Sequence, residues 1–135
     1  MNRQYTFSKK ERLSHRKQID KLFSEGRSFT LHPFKVFYAI HENAGEYPVQ
    51  ILIAIPKKEY KKAVDRNRLR RLIREAYRLN KHALVEHLSQ IKLNIHIGFV
   101  YLGNSAIPPF AEIEEKLTSC LQKLIRIFTP KIVEN

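Results

Sequence analysis

Arginine residues crowd the segment AVDRNRLRRLIREAYRLNKH, residues 63–82, in which apolar residues recur at helical spacing. The guanidinium group of arginine is planar, forms paired hydrogen bonds with phosphate oxygens and stacks on nucleobases. At about 100° per residue, one side of a helix carries four apolar side chains here: Leu69, Leu72, Ile73 and Ala76. The opposite side carries Asn67, Arg70, Arg71, Arg74 and Arg78, and the two borders carry Arg66 and Arg68. The segment therefore predicts a helix that packs by one side and binds phosphates by the other.

Positive charge is concentrated around this predicted helix. Between residues 57 and 81 there are eleven Lys and Arg against three acidic residues. A solvated helix face usually mixes its charges, because like charges at positions i and i+4 repel by about 0.2–0.5 kcal/mol. The three successive i, i+4 pairs from Arg66 to Arg78 are all like-charged, whereas Arg71 and Glu75 form an opposite pair. A solvated face remains the alternative, but the pattern favours a polyanionic partner.

Residues that could catalyse a reaction or hold a metal are few and scattered. The two Asp, Asp20 and Asp65, fall in different predicted helices, and Asp65 suits the positive N-terminal end of its helix. The six His show no metal-ligand spacing, and the single Cys120 lies among apolar helical positions. The sequence has no glycine-rich phosphate loop. We therefore predict no catalytic residues and no protein-bound metal site.

Length and composition narrow the class of protein. A chain of 135 residues, 43% of them apolar, is long enough for one domain with its own core, so we expect a single domain over residues 1–135. The formal net charge of +12 indicates a nucleic acid or an anionic membrane surface as partner. No window approaches the roughly 18 apolar residues of a membrane span, and no signal-peptide pattern opens the chain. We expect a cytoplasmic protein with no membrane partner.

Three strands and two further helices are predicted around the arginine helix, which should span about residues 64–81. A short helix follows Ser14 as N-cap and ends at Gly26, although Ser8 and Glu11 form a competing capping box. Residues 34–41 and 49–56 read as strands joined by a turn, so we expect antiparallel neighbours, with the more apolar second strand central. Residues 93–101 form a third strand, and an amphipathic helix over 111–128 closes the chain. These elements predict an α+β or α/β sandwich on a small sheet.

The first predicted strand offers a second possible nucleic-acid site. Its two-residue period places Lys35 and Phe37 on the face opposite Val36 and Tyr38. An aromatic ring beside a lysine can stack on a base of single-stranded RNA and neutralise its phosphate. The alternative is that Phe37 packs beneath the first helix.

The segment KKAVDRNRLRRLIREAYR resembles the arginine-rich signature of the bacterial ribonuclease P protein subunit. Its Arg-Asn-Arg core is matched by residues 66–68, with Arg71, Arg74 and Glu75 in register. The sequence IPKK resembles the end of the preceding strand, and RLSHRKQIDKLFSEG resembles the opening of the family through Arg12, Leu13, Phe23 and Gly26. Three departures are a leucine at position 52 in place of a usual glycine, a longer spacer EYKK without its glycine, and Ile19 where an aromatic is common.

The resemblance implies a small mixed sheet with helices in the order αβββαβα and a left-handed β-α-β crossover. It implies an RNA-binding domain, monomeric and 1:1 with ribonuclease P RNA, that assists removal of the 5′ leader from precursor tRNA. The chemistry would belong to the RNA subunit, and Mg²⁺ would be held mainly by that RNA and the substrate.

The resemblance also implies two sets of site residues. The residues expected to bind the RNA subunit are Lys57, Lys58, Arg66, Asn67, Arg68, Arg70, Arg71, Arg74 and Arg78. The residues expected to line a leader-binding cleft between the first helix and the sheet are Ile19, Phe23, Lys35 and Phe37. The alternative function is that of a structural RNA-binding protein of ribosomal type with no processing role.

Overall fold

Four strands and four helices make up the computed structural model, which describes residues 7–41, 47–104 and 106–129. The strands are β1 (Arg27–Leu31), β2 (Phe34–Ile40), β3 (Val49–Ala54) and β4 (Ile95–Tyr101). The helices are α1 (Arg16–Glu25), α2 (Ala63–Asn80), α3 (His82–Gln90) and α4 (Phe110–Ile127). The predicted sandwich is confirmed, and the order implied by the resemblance is observed with α3 as an additional helix.

The sheet has the strand order β1-β2-β4-β3, with β3 parallel to β4 and the other pairs antiparallel. The prediction that residues 49–56 form a central strand antiparallel to β2 is therefore wrong. β4 lies between them and is buried along nearly its whole length, so it takes the central place. The expected turn falls largely on residues 42–46, outside the described residues. The connection from β3 to β4 passes through α2 and α3, as a parallel pair requires.

The N-terminal segment, residues 7–15, covers the outer edge of β3. The Leu13 N–H donates to the Ile51 carbonyl at 2.8 Å, and the side-chain Nε2 of Gln50 donates to the Lys10 carbonyl at 2.9 Å. The expected capping box is present, with the Ser8 N–H donating to the Glu11 carboxylate at 2.7 Å. It caps a single 3₁₀ turn, Lys9–Glu11, rather than α1. Helix α1 has His15 as its N-cap, so the assignment of Ser14 is wrong.

The helices lie on both faces of the sheet. One face packs against α2, α3 and α4 and holds the core; its largest fully buried members are Tyr77, Phe34, Phe99, Leu69, Ile73, Leu84, Leu88, Ile95, Ile97, Ile113 and Leu117. The other face carries α1, whose Leu22 is buried and whose Phe23 is half-buried. Because α1 is short, much of the second face stays open beside it.

Candidate nucleic-acid interface

The lysine-rich loop between β3 and α2 is fixed to the body of the protein by two side chains. Tyr60 is buried, and its hydroxyl donates to the Ala106 carbonyl at 2.7 Å. Arg66 Nη1 donates to the Tyr60 and Lys61 carbonyls at 2.7 and 2.9 Å. Lys57 and Lys58, both predicted to bind RNA, are exposed on this loop. Arg66 thus holds the loop that presents them, a role that spacing alone did not suggest.

Helix α2 is rotated relative to the sequence prediction. Its buried residues are Leu69, Ile73, Ala76 and Tyr77, whereas Leu72 is half-buried. Replacing Leu72 by Tyr77 in the apolar side turns its centre by roughly 35° at 3.6 residues per turn. Arg68 is consequently exposed rather than on a border, and Arg74 is half-buried rather than on the far side. The placement of these two arginines from periodicity was therefore wrong.

The remaining predicted residues of α2 form a basic surface in which Arg70 and Arg78 are half-buried. Asn67 and Arg71 are exposed, and Arg70 donates to the Asn67 side chain at 3.1 Å. Glu75 pairs with Arg78, whose Nε lies 3.0 Å from its carboxylate, and this hydrogen bond lowers the pKa of Glu75. The opposite pair expected on α2 therefore forms at i, i+3 with Arg78, not with Arg71.

A buried ion pair joins the N-terminal segment to the end of α2. Glu11 is 4% exposed and Lys81 is 5% exposed, and their side chains are in direct contact. Phe7 packs edge-on against Tyr77 in the same region, with ring centroids 5.7 Å apart. Sequence reasoning missed this arrangement, since the two charged residues are 70 positions apart in the chain.

Two of the four predicted cleft residues meet as an aromatic pair on the open face of the sheet. The rings of Phe23 and Phe37 are edge-to-face with centroids 4.8 Å apart, and Lys35 Nζ lies 5.1 Å from the Phe37 centroid. Ile19, one helical turn before Phe23, is half-buried. All four predicted residues therefore lie at the junction of α1 with β2.

A glycine in the central strand lets α1 approach the sheet. Gly98 pairs with Phe37 in register, and a Cβ atom at position 98 would lie 3.1 Å from Phe23 Cζ and 3.3 Å from Leu22 Cδ2. Contacts of this length force the neighbouring ring to move. The absence of a side chain at Gly98 therefore sets how closely α1 can pack against the sheet.

Two titratable side chains near the sheet, His96 and Cys120, are buried. His96 is 6% exposed and stacks on His41 at 4.3 Å between ring centroids. Burial, then the charges of His41 and Lys21, lower the pKa of His96 to about 4. Burial raises the pKa of the Cys120 thiol to about 12, as expected for an inert buried thiol.

Within the described residues, no three His, Cys, Asp or Glu side chains gather in a group that could hold a metal ion. In the same part of the chain, no helix is both long and apolar enough to cross a membrane.

Comparisons with known proteins agree with this geometry. The ribonuclease P family profile matches residues 7–125. The ribonuclease P protein component of Porphyromonas gingivalis is 36% identical over 123 residues, covering 91% of this chain and 87% of the relative. That of Chlorobaculum tepidum is 31% identical over 124 residues, covering 86% and 80%.

Two solved structures show the same fold. The RNase P protein of Thermotoga maritima has a TM-score of 0.64 at 26% identity, covering 84% of this chain and 96% of that one. The Staphylococcus aureus RNase P protein has a TM-score of 0.68 at 18% identity, covering 88% and 98%, and supports the fold alone. The arginine-rich helix, the fold, the family profile and the relatives agree, and the chain belongs to the ribonuclease P protein family, whose members are subunits of a tRNA-processing ribonucleoprotein.

Proposed function

We propose that this chain binds ribonuclease P RNA through α2 and the lysine-rich loop before it, and binds the 5′ leader of precursor tRNA between α1 and the sheet. The observation that carries the proposal is the basic surface of α2. Arg68 and Arg71 are exposed on it. Of the two acidic residues of α2, Asp65 lies in the first turn and Glu75 is already paired with Arg78. A surface of this kind is stabilised by contact with phosphates, because they relieve the repulsion between its positive charges.

The leader cleft is supported by the aromatic pair. The ring of Phe37 is half-buried and has the ammonium group of Lys35 beside it. An unpaired base can stack on such a ring while the lysine neutralises its phosphate, and neither contact requires a particular base. The proposed role of the cleft is to hold an extended single strand.

In this proposal the protein binds and orients RNA, and the RNA subunit cleaves it. The Mg²⁺ that the family resemblance implies is assigned, in this proposal, to the RNA subunit and the substrate. The lysines and arginines would offset phosphate repulsion between the two RNAs and so reduce the Mg²⁺ concentration needed for assembly.

A reconstitution assay tests this function. Ribonuclease P RNA is mixed with precursor tRNA at a Mg²⁺ concentration too low for the RNA alone, with and without the protein. We expect leader removal only when the protein is present. A protein that binds both RNAs but restores no cleavage would instead fit a structural RNA-binding role of ribosomal type.

A further inference from the structure

A groove runs between the N-terminal segment and α2 and reaches the outer strand β3. Its wall on the N-terminal side contains Phe7, Arg12 and Ser14, its wall on the helix side contains Arg70 and Arg74, and Leu52 lies between them. We call it the arginine groove. Leu13, Ile51 and Ile53 complete an apolar floor.

Three guanidinium groups line this groove. The Cζ atoms of Arg12 and Arg74 lie 5.4 and 5.9 Å from the centroid of the Phe7 ring, and Arg70 is one helical turn before Arg74. Burial, then the charges of Arg12 and Arg70, lower the pKa of Arg74. Among the described residues, none of the three forms an ion pair with a carboxylate. Their mutual repulsion would be relieved by an anion in the groove.

The Arg74 guanidinium has an unused hydrogen-bond donor. Its Nε atom is buried and has no hydrogen-bond partner among the described residues. A buried donor without an acceptor costs free energy in the folded protein. Glu11, the acid next to Arg12 in the chain, does not serve Arg74, because it accepts from the Ser8 N–H and pairs with Lys81.

The N-terminal wall of the groove is held in place before any ligand arrives. The buried pair of Glu11 and Lys81 fixes it to the end of α2, and the hydrogen bond from the Leu13 N–H to the Ile51 carbonyl fixes it to β3. A site fixed in this way loses little entropy when it binds a ligand.

We infer that the arginine groove holds one phosphodiester of the RNA subunit, with Arg12, Arg70 and Arg74 on its oxygens and the sugar over the apolar floor. This inference rests on the proposed function and adds Arg12 and the N-terminal segment to the RNA surface. The RNA subunit is favoured over the leader because two of the arginines belong to α2. In addition, the groove lies at β3, separated by β4 from the Lys35 and Phe37 side chains on β2.

Arg12→Ala tests the inference because this exposed residue lies outside α2. We expect about a 5- to 20-fold loss of affinity for the RNA subunit and a reduction of about one in the slope of log affinity against log salt. Arg12→Lys should keep the slope but recover only part of the affinity, since it lacks the planar fork. Arg126→Ala, an exposed arginine at the end of α4, is the matched control and should change neither quantity.

Crosslinking identifies the RNA in the groove. A photoreactive group on Ser14→Cys would sit at the groove wall, and the native Cys120 is too buried to compete for labelling. We expect crosslinks to the RNA subunit in the assembled holoenzyme; crosslinks confined to the leader overturn the assignment. Unchanged affinity and slope for Arg12→Ala overturn the inference alone, whereas a wild-type chain that does not bind the RNA subunit overturns the proposed function as well.

Discussion

Arginines on one helix have different roles here, depending on what their guanidinium groups touch. Arg66 donates to two loop carbonyls, whereas Arg68, two residues later, is exposed. Both belong to the Arg-Asn-Arg core that resembles the family signature. A motif read from sequence therefore combines a residue that holds the loop in shape with an exposed residue that we propose contacts RNA.

Arg66→Ala and Arg68→Ala should separate these roles. Losing the two hydrogen bonds of Arg66 should lower the free energy of unfolding by about 1–2 kcal/mol, whereas Arg68→Ala should change it by less than about 0.5 kcal/mol. Both variants should bind the RNA subunit more weakly. Urea unfolding and filter binding on the two proteins measure the difference. Equal losses of stability would mean that the loop does not depend on Arg66.

Phe37→Ala tests the cleft. Stacking of a base on an aromatic ring contributes about 1–3 kcal/mol, so affinity of the holoenzyme for leader-bearing precursor tRNA should fall roughly 5- to 150-fold. Affinity for mature tRNA, which has no leader, should change little. Because Phe37 is only half-buried, we expect the variant to stay folded, and the melting temperature of the Phe37→Ala protein provides the control. A large fall in melting temperature with equal losses for both tRNAs would make Phe37 a packing residue.

His96 should make stability depend on pH. Its folded-state pKa of about 4 lies below the ordinary value of 6.5, so the unfolded chain binds more protons than the folded chain between these values. Stability should therefore fall as pH drops through this window, by on the order of 2 kcal/mol from this residue. Because other groups also titrate, the measurement is the difference in unfolding free energy between wild type and His96→Gln at pH 7 and 4.5. A constant difference would contradict the prediction.

At the scale of elements, repeating sequence patterns correctly predicted the features that are set by residues close together in the chain. The 3.6-residue period identified α2, and alternation identified the faces of β2 and β4. The pairing of β2 with β3 was mispredicted because strand order depends on which strand is buried on both sides, and β4 lies far along the chain from its partners. Residue patterns alone did not predict β1, which the resemblance implied, because its residues are mostly polar and exposed.

The candidate site was predictable to a similar extent. Residues that share a helix or strand face, such as Lys35 and Phe37, were grouped correctly from spacing. The rotation of α2 was not, because burial of Tyr77 is decided by contacts with Phe7 and Phe99 from distant segments. The link between Glu11 and Lys81 likewise has no local signal.

That link predicts how the N-terminal segment and α2 depend on each other. Glu11→Leu should leave the Lys81 ammonium buried without the Glu11 carboxylate and destabilise the protein by about 3–5 kcal/mol, and Lys81→Met should likewise leave the Glu11 carboxylate without the ammonium. The double variant Glu11→Leu/Lys81→Met should be less destabilised than either single variant, because no charge remains buried there. Denaturant unfolding of the four proteins measures the coupling. Additive losses would show that the two side chains act independently.

At the scale of the whole molecule, the sheet separates the two surfaces for which we propose RNA contacts. The lysine-rich loop, α2 and the arginine groove would neutralise phosphates, whereas the aromatic rings of Phe23 and Phe37 on the other face would stack on bases. These contacts respond differently to salt, since phosphate binding releases counterions and stacking does not. The net charge of +12 should therefore act mainly through the first surface.

Salt titration tests this separation. If about five phosphates are neutralised, affinity for the RNA subunit should fall on the order of a hundredfold or more between 50 and 200 mM salt. Over the same range, the ratio of holoenzyme affinities for leader-bearing and leaderless tRNA should change by less than about threefold, because stacking rather than charge carries most of that preference. Both quantities come from binding titrations of the assembled holoenzyme and the free subunits. A ratio that falls as steeply as the RNA-subunit affinity would show that the cleft, too, binds mainly through phosphates and that Lys35 contributes more than Phe37.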